Sequence, residues 1–121
     1  MNANDFRRIA LAMEGAIEGS HMAHPDFRVN GRIFATIHPD NKRGMVALTP
    51  DQQHAFMRAN PRVFEPASGA WGRGGSTMVR LDAVDTETLG EAMTLAWQNT
   101  IEKGASTKAR KPRAPSRRKK G

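Results

Sequence analysis

The chain has 121 residues, 38% hydrophobic and 26% charged, with a formal net charge of +7, the size and make-up of one soluble globular domain. It contains no cysteine, which excludes disulfides, thiolate zinc sites, iron–sulfur clusters and thiol catalysis and fits a reducing cytoplasm. No apolar run approaches the roughly 20 residues that span a bilayer, and the opening MNANDFRR lacks the apolar stretch of a secretion signal.

The first pattern along the chain is helical. Phe6, Ile9, Ala10 and Met13 recur at helical spacing, predicting a helix over residues 5–16 with Asn4 or Asp5 as N-cap and Gly15 near its end. Residues 18–25 read as a connecting loop. Phe27–Val29 and Arg32–Ile37 then flank Asn30-Gly31, the dipeptide favoured by a type I′ hairpin turn. That turn pairs Val29 with Arg32 and Phe27 with Phe34. Phe27, Val29 and Phe34 then share one face, and Ile33, Ala35 and Ile37 the other. Both faces are partly apolar, and a dimer partner or a folded-back loop is left to cover the second.

His38–Asn41 is a turn into a strand over residues 44–48. Thr49-Pro50-Asp51-Gln52 announces a helix, with Thr49 as N-cap, Pro50 in the first turn and Gln52 completing a capping box. This helix runs to about Asn60, ahead of Pro61, and is expected to bury Ala55, Phe56 and Ala59. Val63–Glu65 reads as a short strand, residues 67–75 as a glycine-rich loop around Trp71, and Thr77–Leu81 as a half-buried strand. A final helix from near Asp85 aligns Leu89, Ala92, Met93, Ala96 and Trp97. The order α-β-β-β-α-(β)-β-α implies a two-layer α+β domain over residues 1–102, an antiparallel sheet with flanking helices.

The charge is uneven. Residues 103–121 hold nine of the 19 Lys and Arg side chains and no acid, whereas residues 1–102 hold the other ten and all 12 acids, a balance of −2. The segment KGASTKARKPRAPSRRKKG has no large apolar side chain, so it reads as a disordered basic tail.

Several stretches resemble the MmcQ/YjbR family of small bacterial proteins. They are Ser20–Val29 (SHMAHPDFRV), Gly31–Thr36 (GRIFAT), Leu48-Thr49-Pro50, Pro61-x-Val63-Phe64, Trp71-Gly72-Arg73-x-Gly75-x-Thr77 before Val79-x-Leu81, and Leu95-Ala96-Trp97. The resemblance covers about residues 5–102 and leaves the basic tail outside. It implies a YjbR-like sheet flanked by helices, related to the secretion-chaperone-like and double-wing folds, and carries an expectation of DNA binding.

Candidate sites follow from residue chemistry. Lys108, Arg110, Lys111, Arg113, Arg117, Arg118, Lys119 and Lys120 make a polycation suited to neutralising phosphates without reading bases. Pro112, Pro115 and the absence of apolar anchors argue against a membrane helix there; a solubilising appendage or a surface for other polyanions are the competing readings. Arg28, Arg32, Lys42, Arg43, Arg73 and Arg80 lie on the predicted strands and turns; together they make either a phosphate-contacting face or an ordinary solvated edge.

In Trp71–Thr77, glycine N–H groups and Arg73 suit an anion and Trp71 suits base stacking. The competing view has Trp71 capping the core and the glycines serving a tight bend. His21-x-x-His24, with Asp26 nearby, outlines a ligand loop; the alternative is that these histidines hydrogen-bond loop backbone, and no metal or cofactor is assigned to them. Ser20 beside His21 lacks a nucleophile elbow, and no catalytic residue is assigned.

The sequence therefore leads to a small, non-enzymatic, cytoplasmic DNA-binding protein, with DNA ahead of RNA and no membrane partner. The alternative is a protein-interaction or chaperone-like module that dimerises or binds a peptide through its sheet. A third reading is an enzyme or small-ligand binder using His21, His24, Asp26 and the Trp71 loop.

Overall fold

A computed structural model describes residues 1–110, and its first element, α1 (Ala3–Leu11), starts ahead of the expected residue 5. Asn2 is the N-cap: its side chain accepts from the Asp5 N–H, and Asp5 accepts in return from the Asn2 N–H at 2.9 Å. This reciprocal box satisfies two orphan donors, which Asn4 or Asp5 as cap would leave unmet. Phe6 and Ala10 are fully buried, with Ile9 and Met13 packed beside them.

The expected loop over residues 18–25 is a strand pair instead. β1 (Ile17–His21) and β2 (His24–Val29) form an antiparallel hairpin closed by Met22-Ala23, which take φ of 49° and 67°. Positive φ at two consecutive turn residues is usually supplied by Asn or Gly. Met22 and Ala23 adopt it without either, so no turn signal marks the hairpin in the sequence.

β2 pairs with β3 (Arg32–Ile37) through the Asn30-Gly31 turn, where both residues have positive φ and Val29 faces Arg32 as expected. Beyond that point the register differs. A bulge leaves Phe34 unpaired, so Phe27 faces Ala35 rather than Phe34. One extra residue breaks the alternation, and Phe34, Ala35 and Ile37 are all buried while Ile33 is exposed.

β4 (Arg43–Ala47) follows the His38–Asn41 turn, and α2 (Pro50–Ala59) carries the Thr49/Gln52 capping box. α2 buries Gln53; Ala55 and Ala59 are exposed and Phe56 is half-buried, contrary to the expected face. The Gln53 amide explains the rotation, since its Nε2 lies 3.0 Å from the Gly72 carbonyl, 3.1 Å from that of Ser76 and 3.2 Å from the Thr77 hydroxyl. A buried amide so well supplied with acceptors is stable inside.

β5 (Phe64–Pro66), a short helix α3 (Gly69–Arg73) in place of the expected loop, β6 (Ser76–Arg80) and α4 (Thr86–Arg110) complete the chain. The sheet has six antiparallel strands in the order β1-β2-β3-β4-β6-β5. α1, α2 and α4 lie on one face, making an α+β two-layer fold whose core includes Phe6, Phe27, Phe34, Ile37, Val46, Val79, Leu89 and Met93. Asp85 accepts from the Thr88 N–H at 2.7 Å to start α4.

α4 runs through Lys103 to Arg110, into the segment expected as a basic tail. An established helix extends at low cost through Lys, Ala and Arg, and no proline interrupts until Pro112. Lys111, Arg113, Arg117, Arg118, Lys119 and Lys120 lie outside the described residues.

Two substitutions test this packing. A Cβ on Gly44 would stand 2.4 Å from the Phe6 ring, so Gly44→Ala is expected to destabilise by roughly 1–3 kcal/mol in chemical denaturation. Ala23→Gly relieves a left-handed alanine and is expected to stabilise by about 1 kcal/mol in the same assay.

Candidate functional site

α1, α2 and α4 cover only one face of the sheet. On β2, Phe27 and Val29 enter the core, so alternation turns His24, Asp26 and Arg28 to the opposite, open face. Asp26 is nevertheless fully buried there. Arg28 covers it, donating from Nε to Oδ1 at 2.7 Å and from Nη2 to Oδ2 at 3.0 Å, and His21 Nδ1 sits 2.8 Å from Oδ2. Gly19, opposite Asp26 on β1, makes the room: a Cβ there would stand 3.0 Å from Asp26 Oδ1 and 3.2 Å from Arg28 Nε. The Arg28 guanidinium, more than His21, holds the Asp26 carboxyl below its usual value of 3.8.

His21 and His24 are not in a loop. They face each other across the last pair of the β1–β2 hairpin, with ring centroids 4.5 Å apart. His21 is held by a carboxylate, not by loop backbone. His24 Nδ1 is buried and has no hydrogen-bond partner among the described residues. No cluster of three or more His, Asp or Glu side chains able to hold a metal occurs among those residues.

A groove of about 1140 Å³ crosses this face from His21, His24 and Arg28 to Trp71, and an adjoining hollow of about 430 Å³ shares its His24, Thr36, Met45, Trp71 and Ser76 walls. The groove widens because β3 and β4 pair only over Ala35–Ile37 and Gly44–Val46. Arg32 and Ile33 therefore line one side, and Asn99, Glu102 and Lys103 of α4 close the end. Asn99 ties α4 in place, donating from Nδ2 to the Ala47 carbonyl at 3.1 Å and to Gln52 Oε1 at 2.7 Å.

Trp71 does not cap the core: it is 78% exposed. Its backbone is nonetheless firmly seated. Gly72 packs so tightly on Ala67 that a Cβ would stand 1.9 Å from that carbonyl oxygen, and Gln53 grips the Gly72 carbonyl from below. The glycine N–H groups do not cradle an anion. Gly74 donates to Ala70 and Trp71, and Gly75 to Gly72, all within the turn, and Gly75, at φ +112°, is pressed against the Leu48 carbonyl.

The structure thus brings Arg28, Arg32, His21, His24 and Trp71 to one groove, with Arg43 in the adjoining hollow. Arg43 is engaged by Asp40 at 3.1 Å and approaches Glu65 at 3.9 Å, and Arg80 approaches Asp82 at 3.8 Å. Arg73 is exposed outside the groove, and Lys42 sits in the exposed β3–β4 turn. Lys108 and Arg110 lie on the last turns of α4, beyond Lys103. The role of Asp26 as organiser was legible only in the alternation of residues 24, 26 and 28. Asn99 carried no local signal.

The family model YjbR matches residues 11–99. The crystal structure of the Deinococcus radiodurans protein DR2400, a DUF419 domain, is similar at a TM-score of 0.71 and 22% identity, covering 84% of this chain and 79% of that one. Comparison with curated proteins finds no match.

Because the folded-state value of Asp26 is lowered, its contribution to stability is present above pH 3.8 and is lost as pH falls through the folded value. Asp26→Asn is expected to cost about 1–3 kcal/mol near neutral pH. The deficit shrinks as pH drops below about 3.8, as followed by denaturation of both proteins across an acid series.

Proposed function

The chain belongs to the YjbR family, and from that footing we propose that it is a non-enzymatic, cytoplasmic nucleic-acid-binding protein, with DNA preferred to RNA. The observation that carries this reading is the open-face groove, where the exposed Trp71 ring shares one cleft with Arg28 and Arg32. An aromatic beside guanidinium groups suits a ligand with bases and phosphates. α4 supports it further. The helix passes the groove at Lys103 and leads on to Lys108 and Arg110, so the basic segment of the sequence departs from the groove's end. Among the described residues no helix is long and apolar enough to cross a membrane.

A second reading, self-association, is favoured by a different surface. β1 is an edge strand, with Ile17 61% and Met22 87% exposed, and an unprotected edge can pair with a second copy. Ile17→Lys is expected to abolish any dimer seen by light scattering.

Binding of the full chain to a labelled DNA duplex over a salt series tests the main reading. Affinity is expected to fall with a log–log slope of about −0.9 per phosphate neutralised. Replacing Lys108, Arg110, Lys111 and Arg113 by Gln is expected to shrink that slope by about 0.9 for each phosphate that the variant no longer neutralises, and the DNA is recovered uncleaved. Absence of binding to duplex and single-stranded DNA alike near physiological salt would overturn the reading.

A further inference from the structure

We propose that the open-face groove takes single-stranded rather than duplex nucleic acid, seating a base on Trp71 and the adjoining phosphates against Arg28 and Arg32. This rests on the nucleic-acid reading above and adds the form of the ligand. Trp71 is the first ground. A large ring 78% exposed on a backbone locked by Gly72 and Gln53 is an accessible platform, and base–aromatic stacking needs an accessible base face. In a duplex those faces are closed against each other, and only phosphates and groove edges are presented.

The second ground is the shape of the site. The cleft is recessed between the His21–His24 end of one hairpin, α3 and the end of α4, with Thr36 and Met45 also lining it. A flexible strand can follow such a recess, whereas a duplex meets its rims. The third ground is the presentation of cations. Buried Asp26 engages Nε and Nη2 of Arg28, leaving the Nη1 edge as a pre-set donor, and Arg32 lies against Gly104 of α4, whose absent Cβ would sit 3.6 Å from Arg32 Nε. Glu102 at the α4 end is the groove's acidic contribution.

The test uses the full chain, a labelled oligothymidylate, a duplex with the same number of phosphates, and a polyglutamate competitor. Trp71 is exposed, so Trp71→Ala and Trp71→Phe are expected to fold normally. The wild type is expected to prefer the single strand. Trp71→Ala should weaken single-strand binding by about tenfold while changing duplex binding less than about twofold, and Trp71→Phe should retain most of the affinity. Oligothymidylate should quench tryptophan emission in the wild type and not in Trp71→Phe, where only Trp97 reports. Equal effects of Trp71→Ala on both ligands, or none on either, would overturn the single-strand proposal while leaving nucleic-acid binding standing. Polyglutamate binding that depends on Trp71 would instead make the groove a peptide site. Binding to neither nucleic acid would overturn the underlying reading itself.

Discussion

A carboxylate on the open face of a half-covered sheet, withdrawn completely from water, organises this protein's candidate site. Asp26 sits where alternation on β2 would ordinarily place a solvated side chain, and Arg28 and His21 close over it. A buried charge is tolerated only when its lone pairs are met. Three donors here fix two side chains that would otherwise be mobile. Gly19 on the neighbouring edge strand is the spatial counterpart, because any larger residue would press on both Asp26 and Arg28. Removal of either element would return the floor of the groove to a loose set of polar side chains.

The opposite wall depends on a second buried polar group. Gln53 reaches from α2 to the Gly72 and Ser76 carbonyls and the Thr77 hydroxyl, linking the core side of the fold to the short helix that carries Trp71. The glycines of this region serve close backbone approach: Gly72 to Ala67, Gly75 to Leu48. Their N–H groups are used within the turn. An exposed tryptophan on a tightly held frame is thus a consequence of how its neighbours are packed, not of local disorder.

The bulge in β3 connects these walls. By leaving Phe34 unpaired it sends Phe34, Ala35 and Ile37 all into the core, and the two apolar faces expected from strict alternation become one. The other face is then free to be polar. The early end of β3–β4 pairing opens the wide part of the groove, and α4 closes it with Asn99 and Lys103.

Local chemistry by itself determined much of this protein. The Asn30-Gly31 hairpin, the Thr49/Gln52 capping box, the apolar stripe of α4 and the α+β class all follow from turn dihedrals, caps and periodicity, which act within a few residues. The YjbR resemblance was legible in short motifs matched in order and spacing. Other features were set only by distant partners. Met22-Ala23 accept a strained turn because β1 and β2 pair around them, and Gln53 turns inward because Gly72, Ser76 and Thr77 supply its acceptors. Whether Trp71 faced the core or the solvent was undetermined for the same reason. A side chain's exposure is decided by what packs around its backbone, and here Gln53 of α2, which grips the Gly72 carbonyl next to Trp71, is brought there by the tertiary fold.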